Sequence, residues 1–173
     1  MNMYTLLFLG VRALHVGTAA LWIGSTVFTS VMMMPAVDAA GPSGGQVMMR
    51  INRRGLTAYM AALAATTVLS GLYLYWHFTG FNASIVADHA GLAFGMGGVS
   101  GVVAAIVGGA VVGRSAHGIM SLGAQAAALP DGPAKGALME QASALRRRLT
   151  QGTRVVIALQ TVALVLMAVG HYV

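Results

Sequence analysis

The chain has 173 residues, 57% of them hydrophobic and only 8% charged, with a formal net charge of +6 and no cysteine. A soluble domain is typically about 45–50% apolar and about 25% charged, so this composition leaves too little polar cover for a globule in water. A soluble enzyme, a disordered tail, a disulfide-stapled secreted domain and thiolate zinc or iron–sulfur sites are excluded. The positive charge lies in loops between apolar blocks, so a membrane explains it better than nucleic acid, and no nucleic-acid partner is expected.

Roughly 20 apolar residues cross a bilayer core. Four blocks qualify: Leu14 to Met34, Ala58 to Phe78, the glycine-rich Ala90 to Val112, and the shorter Val155 to His171. In lipid each must be a helix, because every backbone polar group needs a partner within the segment. The expected fold is all-α: one integral-membrane domain over residues 1–173, a four-helix transmembrane bundle with spans near 12–35, 57–78, 89–113 and 154–172. The first block is too long for a signal-peptide core and is expected to stay as a transmembrane helix. Residues Met1 to Val11 are apolar as well; they extend that helix or lie along the interface.

Arg50, Arg53 and Arg54 fall between spans one and two. Arg114, Lys135, Arg146, Arg147, Arg148 and Arg154 fall between spans three and four, and Arg12 alone lies on the other side. The positive-inside rule predicts both termini outside, N-out and C-out, with the Thr79–Asp88 connection external, as in a bacterial inner-membrane protein. The long connection contains the turn signal Leu129-Pro130-Asp131-Gly132-Pro133. After it, Leu138, Ala142, Leu145 and Leu149 recur at helical spacing, which predicts an amphipathic cytoplasmic segment before span four. Its Arg146–Arg148 cluster anchors the topology or touches anionic lipid. On span three, Gly91, Gly95, Gly98, Gly101, Gly108 and Gly109 offer close helix contact, or room for a flat cofactor.

On this topology His15, His77, His89 and His171 share the outer end of the four spans, and only His117 lies inside. Stripes at helical spacing support an inward-facing placement. They are His15, Trp22, Ser25 and Thr29 on span one, and Tyr59, Leu63, Thr66, Ser70, Tyr73 and His77 on span two. Span four contributes Thr153, Ile157, Gln160, Leu164, Met167 and His171; His89, Met96, Ser100 and Val103 form the corresponding set on span three. Asp88 is the only acid expected on the outer side, so carboxylate catalysis has no support, and no phosphate-binding Gly-rich loop occurs.

Helix bundles build cofactor sites from facing helices, and imidazole suits haem iron, copper and zinc. Two metal readings stand. In the first, two histidines hold a b-type haem, Arg12 pairs with a propionate, and Trp22 and Tyr73 line the ring. In the second, the histidines bind copper, and Met32, Met33, Met34, Met48, Met49 and Met60 supply soft thioethers at the inner end. The same methionines also serve as adaptable apolar filling.

Span one reads Arg12-Ala13-Leu14-His15, then Trp22-Ile23-Gly24, then Pro35. This resembles the first helix of the copper-resistance D and HemJ-like membrane protein families, over residues 12–35. HemJ-like proteins bind haem b and are associated with protoporphyrinogen oxidation; copper-resistance D proteins are linked to copper uptake. The resemblance implies His15 as a haem or copper ligand with Arg12 as its neighbour.

The expected function is therefore electron transfer by a membrane b-type haem protein with the cofactor near the periplasmic face. His15 and one of His77, His89 and His171 are the expected axial ligands, with a quinone or a periplasmic carrier as redox partner. The alternatives are a copper-binding or copper-transport membrane protein, an accessory subunit of a larger membrane complex or homo-oligomer, and a haem-dependent membrane oxidoreductase.

Overall fold

The computed structural model describes residues 2–170 and Tyr172, and among these residues there is no strand. The first helix, α1 (Met3–Phe28), starts where the Asn2 side chain accepts a 2.9 Å hydrogen bond from the Thr5 N–H. The apolar N-terminal residues thus extend span one. A π-helical turn, Thr29–Met33, carries the chain into α2 (Met34–Ala39). Pro35 lies just beyond that turn and has no N–H to give the preceding turn, which accounts for the local break in the i to i−4 ladder.

α3 (Gly41–Arg53) follows, and α4 (Leu56–Thr79) runs between Gly55 and Gly80, both in the left-handed region at φ 98° and 54°. A short helix, α5 (Ala83–Val86), is capped by Asn82. α6 (His89–Val107) passes through a second π-helical turn, Gly108–Gly113, into α7 (Arg114–Ala127). α8 (Pro133–Val169) is a single 37-residue helix.

Four continuous helical stretches are long and apolar enough to cross a membrane: Met3–Ala39, Leu56–Thr79, His89–Ala127 and Pro133–Val169. The protein is a multi-pass membrane protein. At 1.5 Å per residue a 37-residue helix is about 55 Å long, against a hydrocarbon core of about 30 Å. Three of the four stretches are therefore longer than the bilayer core is thick. The expected spans fall inside these helices apart from the last residues of span four, which lie beyond the end of α8. Apolarity marks only the part in lipid; outside it, packing keeps the helices going. Leu145 of the amphipathic segment sits over Gly118 of α7, where a Cβ would lie 2.6 Å from Leu145 Cδ1. Arg146 and Asp38 pair at 2.8 Å between α8 and α2, both about half exposed, so the pair adds no more than about 1 kcal/mol. From the first turn of α8, Lys135 donates to Asp131 at 2.7 Å and holds that exposed carboxyl below its usual range.

The helices pack most closely as two pairs, α1 with α4 and α6 with α8. Trp22, Leu63, Ala104 and Val156, one from each spanning stretch, form the buried cluster that joins the pairs. Only 6% to 22% of each apolar window is buried within the molecule, so most of the apolar surface is left for lipid. Close approach without a hydrophobic driving force requires small residues. On α8, Gly152 is such a point: a Cβ there would meet Val111 Cγ1 at 2.9 Å and Val112 Cγ2 at 3.2 Å, on the π-helical turn. Gly152→Ala is expected to destabilise the protein by about 1–3 kcal/mol through overpacking. Gly98→Ala, which meets nothing within 4 Å, is expected to stay within about 0.5 kcal/mol of the parent. Thermal unfolding in one detergent compares the two.

Candidate functional site

The site is built where α1 meets α4. Gly71 of α4 lets the His15 ring lie against the helix, since a Cβ there would stand 2.8 Å from His15 Cε1 and 3.2 Å from Nδ1. His15 Nδ1 lies 2.9 Å from the Thr67 carbonyl oxygen and 3.2 Å from Ser70 Oγ. A carbonyl only accepts, so the contact assigns the hydrogen to Nδ1 and the lone pair to Nε2. No described residue hydrogen-bonds that Nε2. Thr67 Oγ1 donates to Thr18 Oγ1 at 3.0 Å, and Thr18 Oγ1 donates to the Leu14 carbonyl at 2.8 Å. The imidazole is thus held by a polar seam in an otherwise apolar helix pair.

Thr67 and Thr18 were not among the expected site residues. The helical stripe of α4 that contains His77 passes through Thr66, whereas the structure buries Thr67. The usable signal was the spacing: Thr67 lies three before Ser70, and Thr18 three after His15, on the same faces.

The other histidines do not join His15. His77 is exposed and its ring lies 4.8 Å from Phe8 and 6.2 Å from Tyr73, centroid to centroid. Phe8 is seven residues before His15 on α1, so His77 and His15 differ in depth by about 10 Å. His89 is the first residue of α6; its side chain is 85% exposed and its Nδ1 lies 3.9 Å from Asp88 Oδ1. His117 is exposed at the opposite end, its Nδ1 3.0 Å from the Gly113 carbonyl oxygen. His171 lies outside the described residues. The expectation of histidines at one level therefore needs correction for those described. α1 begins at Met3, not near residue 12, which sinks His15 about 18 Å below the helix start. His89 fails for a different reason. α6 buries Gly91, Ala93, Gly97 and Ala104 against its neighbours, which turns Met96 and Val103 outward.

Arg12 is exposed, one turn from His15, and makes no ion pair among the described residues. Tyr73 is partly buried, 6.0 Å from the Trp76 ring. Trp22 is two turns below His15, in the central cluster, and Met60 packs against that same cluster. No group of three or more His, Cys, Asp or Glu side chains that could hold a metal ion occurs among the described residues. An apolar groove of about 370 Å³, lined by Tyr75, Gly91, Gly95, Val99, Val162 and Leu166 among others, opens between α4, α6 and α8; no histidine lines it.

No family model matches this chain, and no curated protein or solved structure is significantly similar to it.

The closeness of Gly71 to the ring gives a direct check. Gly71→Ala is expected to push the imidazole off α4 and break its bond to Thr67. The Nδ1–H tautomer signature of His15 in imidazole ¹⁵N spectra should be lost, while Gly98→Ala leaves it in place.

Proposed function

We propose that this protein is a membrane b-type haem protein that passes electrons, with His15 as an axial ligand. One observation carries the reading: the 2.9 Å contact of His15 Nδ1 with the Thr67 carbonyl oxygen, which leaves the Nε2 lone pair uncommitted. Ligating histidines characteristically give their other ring hydrogen to a carbonyl or carboxylate, which fixes the tautomer and raises ligand basicity. The donor chemistry fits one axial position, and imidazole suits haem iron. When bound, haem supplies reversible one-electron exchange at its iron.

The chain's own residues have definable tasks. Thr67 and Gly71 set the angle of the His15 ring. Arg12, one turn away, offers charge for a propionate. The structure sets His77 and His89 apart from His15, so the second ligand is sought at His171. By the positive-inside rule the arginine-rich end is cytoplasmic, which makes the protein N-out and C-out in a bacterial inner membrane. His15 then lies in the outer half, toward a quinone or a periplasmic carrier as electron partner. The resemblance of residues 12–35 to the HemJ-like and copper-resistance D families supports His15 as the ligand.

The test is the visible spectrum of detergent-purified protein, oxidised and dithionite-reduced, with metal analysis of the same sample. A sharp reduced α-band with iron equimolar to the chain supports the proposal. A sample that carries copper instead moves the function to copper binding or transport. One that carries neither metal and stays colourless after haem addition leaves an accessory subunit of a larger complex.

A further inference from the structure

The polar half of α8 carries a pocket that neither the packing nor His15 uses. Arg147 and Arg148 come three and four residues after Ala144, and four and three residues before Gln151, so the four share one helix face. With Leu145 they line a shallow pocket of about 380 Å³. Leu145 is held in place by its seat on Gly118 of α7, and Ala144 adds no bulk to the face.

The charges of this pocket are uncompensated. Arg146, the next residue on α8, is committed to Asp38 at 2.8 Å. Arg147 and Arg148 are exposed and make no ion pair among the described residues. The acids that could serve them are spent or distant: Asp38 pairs with Arg146, Asp131 pairs with Lys135, and Asp88 lies at the other end of the molecule beside His89. Glu140 lies seven residues before Arg147, about 10 Å along the helix axis. Two adjacent guanidinium groups without a counter-charge repel each other, and an anion between them removes that repulsion. Their planar forks match the oxygens of a phosphate, and the Gln151 amide adds a neutral donor to the same face.

Depth says which phosphate. The apolar run of α8 begins at Val155. Gln151 lies about 6 Å and Arg148 about 10 Å before that boundary along the axis. The headgroup layer on each side of a bilayer is about 5–8 Å deep. The pocket therefore opens at the outer edge of the headgroups, and long arginine side chains near a helix end reach back into that layer.

We propose that this pocket binds one anionic lipid by its phosphate. Arg147 and Arg148 donate to the phosphate oxygens, and Gln151 donates to a further oxygen of the headgroup. The occupant is a lipid, since a phosphate at this depth has an apolar helix face beside it on which its acyl chains lie. The inference is independent of the haem reading.

Native mass spectrometry of the full-length protein in mild detergent reads the site. The probes are phosphatidylglycerol and phosphatidylcholine of one chain length, supplied in equal amounts. The protein is expected to retain a single phosphatidylglycerol per chain in preference to phosphatidylcholine. Arg147→Gln with Arg148→Gln should lower that retention by about tenfold or more. Arg53→Gln with Arg54→Gln removes the same charge at the end of α3 and should leave it unchanged. Equal retention of the two lipids by the parent protein overturns the proposal whether or not any variant folds. Equal losses in the two double variants also overturn it, by tracing the attraction to net charge. Inorganic phosphate, added at the concentration of the lipid, should displace none of it. Displacement would make the occupant a soluble phosphate and would sink the lipid assignment.

Discussion

His15→Ala is expected to abolish haem binding, with the reduced α-band falling to baseline and iron leaving the purified protein. On the proposed reading the Nε2 lone pair is the ligand, and no other described histidine stands near enough to replace it. The fold should survive. His15 gives one hydrogen bond to a helix carbonyl, and a net contribution of about 0.5–1.5 kcal/mol is typical of such a bond. A sample with parental helicity and elution but no α-band is thus the predicted result, and added imidazole should restore part of the spectrum by filling the vacated space. Gly71→Ala acts one step removed, by displacing the ring. Loss of a partner that orients a ligand typically costs about 10–100-fold in affinity, so haem titration should separate it from His15→Ala, where binding is lost outright. His117→Ala, exposed at the opposite end, is expected to bind haem as the parent does. Parental haem content in His15→Ala would remove His15 from the site.

The parts of this architecture that sequence reveals are those written in local pattern. Four apolar blocks set four spanning helices, and Leu138, Leu145 and Leu149 mark the amphipathic stretch that the structure continues without a break into span four. Helix ends were harder. Apolarity tells where lipid lies, whereas the start of α1 depends on the Asn2 cap, and its passage beyond Pro35 depends on a π-helical turn that absorbs the missing N–H. That difference displaced His15 in depth relative to His77. The site suffered from a second limit. His15 stood out on its own helix, but Thr67 in place of Thr66 is decided by the register of α1 against α4, a relation between residues about 50 apart. His89 shows the same limit on α6, where the glycine and alanine face, not the His89 stripe, turned inward. Trp22 read as a ring-lining residue because it shares a face with His15, yet two turns of helix carry it to the central joint.

That joint is where the largest loss of stability is expected. Trp22→Ala should destabilise the protein by about 3–5 kcal/mol, the range for removing a buried aromatic side chain. In lipid the cost arises mainly from lost van der Waals contact, since helices gain little from burying apolar surface against one another. The four members of the cluster come from four different spanning stretches, so the void opens between the helix pairs rather than within one. Trp22→Phe keeps most of the packing and should lose less. Trp76→Phe, at a side chain 51% exposed, should stay within about 0.5 kcal/mol of the parent. Unfolding titrations in sodium dodecyl sulfate at fixed lipid or detergent would rank the three. The clamp on His15 lies within the α1 and α4 pair, two turns away, so Trp22→Ala protein that remains folded at low temperature should still bind haem. A Trp22→Ala protein as stable as the parent would show that the pairs are joined elsewhere. Haem lost at low temperature from a folded Trp22→Ala protein would mean that the two helix pairs hold the cofactor jointly.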